Sequence, residues 1–341
     1  MFHDPWRAAL RDLSSVLGRD LSARDLSAQR ALLRAALAQG GVVGAARGDA
    51  RAVRGVGGVP PGGVSELASV SKPFTAALAG VLVARGALDW HAPLAALGGP
   101  LRGVPRHVTA WTLATHTAGV PLHPARVGVT TFTHFHDPYG PMSPEDVVGS
   151  VRRWARPTGR FQYSNLGVGL LGLAAAWAAG EAFSADGYAR ALRREVTGPL
   201  GLNVTARAPA GVIRPGGSLL TGAQLTGFGP LVGAGGLFGS ADDLLTFGQA
   251  HLNGQPGGRL GGAWLDARRV PGLPPGVDGV TPGWFARTGR RWHDGVARGT
   301  RTGLGVNLNS GAVVVVLARG GVPLLGPRSA VPLLLHTLLG A

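Results

Sequence analysis

Strand-like segments gather at the two ends of this 341-residue chain, and the long stretch between them reads as helices and loops. Near the start, 41–46 and 51–56 are short apolar runs joined by Gly48-Asp49, a hairpin signal. Near the end, 291–296, 303–308 and 312–318 are short apolar or alternating runs separated by glycine-rich turns, among them Asn309-Ser310-Gly311. A strand needs a partner on its edge, and one sheet assembled from both termini around a helical insertion satisfies all five. The fold class expected is therefore α/β (α+β): an antiparallel sheet built from both chain ends with flanking helices, plus an inserted mainly helical domain. Residues 1–85 and 286–341 form the sheet part and 86–285 the helical part of a single unit.

The helical readings rest on periodicity. Trp6, Leu10, Leu13, Val16 and Leu17 recur at helical spacing, and the pattern continues to about residue 38 before Gly40-Gly41 ends it. A Gly/Pro loop at 57–63 precedes a helix over 69–85, with Pro73 early enough to be tolerated and Gly86 closing it. Further helices are expected at 108–115, 144–155, 165–180, 184–196, 241–252 and 327–339. Ser240-Ala241-Asp242-Asp243 resembles a capping box with Asp in place of Glu. The stretch 121–142 has no clear period and reads as a long loop of the kind that lines sites. There is no internal repeat, GxGxxG or phosphate-binding loop, so no cofactor is implied.

Bulk properties remove several classes of function. Hydrophobic residues make up 45% of the chain, ample for a core. The net charge of +15 would suit an anionic partner, but the arginines are scattered and never form a run of five or six, so no nucleic acid is expected. The absence of cysteine excludes thiol nucleophiles and thiolate metal sites. The first twenty residues lack an apolar core, so no signal peptide is visible and a cytoplasmic location is expected. The longest apolar run, 166–180, falls short of the ~20 residues needed for a membrane span.

Lys72 is the only lysine; every other basic residue counted with it is arginine. A solvated cation can be either residue, whereas a group that must lose and regain a proton cannot be arginine. Ser69-Val70-Ser71-Lys72 is an S-x-x-K. At the start of a helix, residues three apart share a face, and a neutral amine there can take the serine proton. Tyr163-Ser164-Asn165, just before an apolar helix, can aim two side chains into one cleft. Either a tyrosinate or a tyrosine linked to a neutral lysine could share the base role. The same pattern also fits a tyrosine at the start of a core helix. His293-Asp294-Gly295 lies on an expected strand, where glycine lets a ligand approach the backbone. The Val296 amide there, paired with that of Ser69, would make an oxyanion hole. His134-Phe135-His136-Asp137 holds three potential metal ligands, so close together in a Pro/Gly-rich loop that they rarely make a site unaided, and no metal is expected. His116 reads as part of a loop-stabilising turn.

The order S-x-x-K, Y-x-N and H-x-G resembles the serine β-lactamase and penicillin-binding-protein superfamily. It is most similar to the class C β-lactamase-related branch, which also holds esterases and D-alanyl-D-alanine peptidases. The segments 66–76, Leu88-Asp89, 113–121 and Gly235-Gly236-Leu237 with Ser240 and Asp243 resemble further blocks of that family, in order, across about 40–320. The resemblance implies a β-lactamase/transpeptidase-like fold with the site between its two parts. It implies Ser69 as the acyl-accepting nucleophile, Lys72 and Tyr163 as the proton-transfer pair, and Asn165 as their orienting group. His293, Asp294, Gly295 and Val296 would flank the substrate. The substrate class implied is a small ester, amide or β-lactam. One departure bears on it. The middle residue of the third motif is often a hydroxyl that helps hold a substrate carboxylate; here it is Asp294. An ionised Asp294 facing the cleft would repel a carboxylate at a cost on the order of a few kcal/mol, unless Arg291, Arg298 or Arg301 compensates. An esterase or small-amide hydrolase is thus expected. The alternatives are a weak β-lactamase or D-Ala-D-Ala carboxypeptidase, and a penicillin-binding sensor that does not turn over. Oligomeric state is not legible.

Overall fold

The computed structural model describes residues 4–19, 22–135, 137–217, 224–253, 261–320 and 330–340. Its strands are β1 (Gly41–Arg47), β2 (Ala50–Val56), β3 (Ser65–Glu66), β4 (Phe238–Gly239), β5 (Gly279–Thr281), β6 (Trp284–Arg287), β7 (Arg290–Val296), β8 (Thr300–Asn307) and β9 (Ala312–Arg319). The helices are α1 (Pro5–Val16), α2 (Ala23–Ala36), α3 (Ser71–Ala84), α4 (Ala110–Ala114), α5 (Val127–Thr133), α6 (Pro144–Trp154), α7 (Asn165–Ala178), α8 (Ala185–Leu192), α9 (Val232–Gly235), α10 (Ala241–Leu252) and α11 (Ala330–Leu339).

Seven strands form one antiparallel sheet in the order β2-β1-β9-β8-β7-β6-β5, and β3 pairs with β4 separately. The two chain ends meet where β1 pairs with β9, Gly41 opposite Ala318 and Arg47 opposite Ala312. Period-two alternation then divides the core. On β9, Val313, Val315 and Leu317 join the cluster that includes α3, α7 and α10. Val314, Val316 and Ala318 join the cluster with α1, α2 and α11 on the other face. Helix α10 can lie against β9 because Gly248 has no side chain; a Cβ there would stand 2.4 Å from Val313 Cγ1.

Several elements differ from expectation for local reasons. The helical stretch 5–38 is two helices, broken at Gly18, whose φ is +65°, and restarted at Ser22, whose hydroxyl accepts the Asp25 N–H. Helix α8 stops at Leu192 and a π turn, Arg193–Thr197, follows. The stretch 121–142 contains the short helix α5, which hides from a periodicity search because Val129 and Phe132 on it are exposed. Strands β5 and β6 were not anticipated, being three and four residues long around a Gly283 turn. β5, the first half of β6 and α10 fall within 86–285 and lie in or against the sheet. Of the expected last helix, residues 327–329 lie outside the described residues. Among the described residues, no helix is long and apolar enough to cross a membrane.

Candidate active site

Ser69 lies on a 3-10 turn, Ala68–Val70, that leads directly into α3. In 3-10 geometry residues i and i+3 eclipse, which stacks Lys72 behind Ser69. The turn is strained: Ala68 has φ +47°, a left-handed conformation unusual for a residue with a Cβ. Two bonds hold it there. The Leu67 N–H donates to Leu237 O at 2.8 Å, and the buried Thr302 hydroxyl on β8 donates to Leu67 O at 2.7 Å. Ser69 keeps partial access to solvent, while Lys72 is fully buried.

Helices α3 and α7 are apolar on almost every side and pack together at the centre of the helical part. That packing brings their N-terminal ends into register. Lys72 Nζ lies 2.9 Å from Ser69 Oγ, 2.8 Å from Asn165 Oδ1 at the first residue of α7, and 2.7 Å from Ala234 O on α9. The start of α7 is itself fixed: Ser164 Oγ accepts the Gly167 N–H and donates to Pro121 O.

Tyr163, one residue before that cap, sets its phenol beside the Ser69 side chain, and its ring centroid is 4.7 Å from Lys72 Nζ. His116 supports it. The Ser164 N–H donates to His116 Nδ1 at 3.1 Å, the Gln162 N–H donates to His116 O, and the His116 and Tyr163 rings are 4.5 Å apart. His116 takes φ +58° to do so. Strand β7 closes the other side. His293 is buried with its ring 6.2 Å from that of Tyr163, and Gly295 abuts the nucleophile turn. A Cβ on Gly295 would stand 2.1 Å from Thr302 Oγ1, 2.8 Å from Leu67 O and 3.0 Å from Ser69 N. The space on that side of the glycine is taken by the Thr302 hydroxyl and by the backbone of the nucleophile turn.

The β-lactamase family profile matches residues 29–337, nearly the whole chain. The chain belongs to the β-lactamase family. Its fold is similar to a β-lactamase/D-alanine carboxypeptidase from Pseudomonas syringae, with TM-score 0.75 and 18% identity over 96% of this chain and 98% of that one. It is also similar to a class C β-lactamase from Rhodobacter sphaeroides, with TM-score 0.72 and 23% identity over 92% and 97%. A D-stereospecific amidohydrolase from Streptomyces gives TM-score 0.70 and 21% identity over 86% and 94%. No curated protein sequence gives a match.

The electrostatics of this β-lactamase-family site favour neutral groups. Burial holds the Lys72 amine well below its ordinary pKa, with the Asp294 charge opposing only in part. Burial pushes the Tyr163 phenol above its ordinary value, so it rests protonated. His293 is pushed down to about 3, chiefly by burial, and its Nδ1 donates to Asp294 O at 2.8 Å. No cation therefore stands at the first position of the third motif. Asp294 is half-buried. The register puts it opposite Gly303, on the sheet face it shares with Val296 and Arg301, whereas His293 and Gly295 point toward the nucleophile turn. Burial raises its carboxyl, and Arg301 is its strongest counter-charge, yet the two make no ion pair. Of the other arginines considered, Arg291 is buried against the Trp264 carbonyl, and Arg298 lies over the Phe135 ring. The Val296 side chain is exposed.

Three site residues escaped the sequence reading. Tyr139 and His123 come from the 121–142 loop and reach Asn165, as developed below. Glu66, on β3, is buried and makes no ion pair among the described residues; it accepts the Thr226 N–H at 3.0 Å and the Thr300 hydroxyl at 3.4 Å. Burial raises it to about 7. Its folded pKa exceeds the unfolded one, so its neutral form favours folding below about pH 4.5, and that advantage is lost as pH rises through about 7. Glu66→Gln should raise the melting temperature above pH 7 by the equivalent of about 3 kcal/mol, with no gain below pH 4.5. A constant difference across that range would show that Glu66 does not titrate there. His136 lies outside the described residues; His134 contacts the Thr133 hydroxyl and Asp137 accepts the Gly140 N–H. Among the described residues, no three potential ligands converge on a point that could hold a metal.

Proposed function

We propose that this protein is a serine hydrolase that forms an acyl-enzyme on Ser69 and accepts esters or small amides. The hydrogen-bond arithmetic at Lys72 carries this reading. A neutral amine has two N–H groups and one lone pair. Asn165 Oδ1 and Ala234 O can only accept, so they take both N–H groups. The lone pair is left facing Ser69 Oγ at 2.9 Å. Ser69 attacks the carbonyl carbon and its proton passes to Lys72. The Ser69 and Val296 amides stabilise the oxyanion. The proton then moves through the Tyr163 hydroxyl to the leaving oxygen or nitrogen as its bond to carbon breaks. Water releases the acyl group by the same steps in reverse.

The substrate preference follows from what β7 lacks. With His293 neutral and an unpaired carboxyl at Asp294, the strand offers no cationic anchor for a carboxylate. A short-chain nitrophenyl ester should therefore be cleaved faster than a chromogenic cephalosporin, and a D-Ala-D-Ala peptide slowest. A fluorophosphonate should add once, at Ser69. A permanent acyl adduct with no turnover on any of the three would identify a binding module instead. Asp294→Thr should leave the cephalosporin-to-ester rate ratio within about twofold, because the register sets its side chain on the sheet face away from the nucleophile turn. A ratio raised about tenfold or more would show that the carboxyl reaches the substrate carboxylate and repels it.

A further inference from the structure

We propose that His123 and Tyr139 are positioning residues that decide which end of the Asn165 amide faces Lys72. The inference rests on the Ser69 acyl-enzyme reading and deepens it. That reading needs the Asn165 carbonyl, and not its NH2, against the lysine, because an NH2 there would donate to the amine lone pair and turn it away from Ser69. The two ends of an asparagine amide have nearly the same shape, so sterics alone cannot choose between them.

A chain of three bonds makes the choice. Tyr139 Oη lies 2.5 Å from His123 Nδ1, and Asn165 Nδ2 lies 3.4 Å from Tyr139 Oη. When Nδ1 carries no proton, it accepts the Tyr139 O–H. The phenol oxygen, its own proton committed, then offers only a lone pair to Asn165, which must turn its NH2 that way and its Oδ1 toward Lys72. A donor at Nδ1 would reverse each link in turn. The surroundings favour a neutral His123, whose Nδ1 can then stand free to accept: burial holds the imidazole below its ordinary pKa, and Tyr139 is buried with its ring stacked 5.5 Å from Phe228. The residue next to His123 also anchors the asparagine backbone: Leu122 O accepts the Asn165 N–H at 2.9 Å. The 121–142 segment thus grips Asn165 by main chain and side chain together.

The test is a polarity series read by nitrophenyl-ester kinetics and by the rate of fluorophosphonate labelling. His123→Ala and Tyr139→Phe should each slow both about tenfold, the effect of one lost buried hydrogen bond. KM should stay within about twofold, because both residues act through Asn165 and not through a contact of their own with substrate. The double variant should be no slower than the slower single, since both cut the same chain. His123→Asn, which can set its Oδ1 where Nδ1 stood and accept the same Tyr139 O–H, should recover most of the loss. Unchanged rates, multiplicative losses in the double variant, or a His123→Asn no better than His123→Ala would each overturn the proposal. Should Tyr139→Phe fail to fold, the half-exposed His123 pair decides the matter by itself. Ser69→Ala, run alongside, separates the two readings. Labelling that survives in it defeats the hydrolase assignment, whereas single labelling at Ser69 with a flat His123 series defeats only the positioning role.

Discussion

Arginine at position 72 should leave less than about one-hundredth of the ester hydrolysis rate, the lower end of what a positioned general base contributes. Guanidinium cannot lose its proton near neutral pH, so it offers Ser69 no lone pair. It should also weaken the fold. Lys72 is fully buried and held neutral, with carbonyl oxygens as partners and no ion-paired carboxylate. A permanent charge in that place costs several kcal/mol. Lys72→Met removes this ambiguity, because it fills the same channel without a charge. It should be folded by circular dichroism and equally inactive. Near-wild-type hydrolysis in either variant would end the proton-shuttle role of Lys72.

Gly295→Ala should be nearly as damaging for a different reason. The added Cβ meets Thr302 Oγ1 at 2.1 Å and, behind it, two backbone atoms of the nucleophile turn, Leu67 O and Ser69 N. The turn must move, and a displacement of about 1 Å at a nucleophile can cost 10²-fold in rate. Overpacking should add about 1–3 kcal/mol of destabilisation. Combining it with Thr302→Ala removes the worst contact but leaves the Ser69 N contact. The double variant should regain part of the stability and little of the rate. Recovery of both together would show that the damage lay in packing at Thr302 and not in the position of Ser69.

Much of the fold was legible because it depends on local pattern. The hairpin of β1 and β2 follows from two apolar runs around Gly48-Asp49, and α10 matches its expected 241–252 limits because Ser240 and Asp243 cap it reciprocally. What escaped depended on contacts. Strands β5 and β6 are too short to show a period, and α5 carries apolar residues on an exposed face. That Thr302 and the nucleophile turn crowd one side of Gly295 is likewise set by tertiary contacts that sequence cannot place.

The site divides in the same way. The lone lysine, the serine three residues before it, the tyrosine and asparagine ahead of an apolar helix, and the glycine after His293-Asp294 are all visible in the sequence, because chemistry dictates residue type and helix geometry dictates short spacings. Only the packing of α3 on α7, with β7 laid beside the nucleophile turn, brings Asn165, Ala234 O and Tyr163 around Lys72 and Ser69. That packing also removes water from the lysine, and desolvation, a property of the enclosing atoms and not of the residue, is what makes the amine neutral. Tyr139, His123 and Glu66 belong wholly to this second kind. Local sequence marks only the segments that hold them, and each acquires its partners only when distant segments close around it.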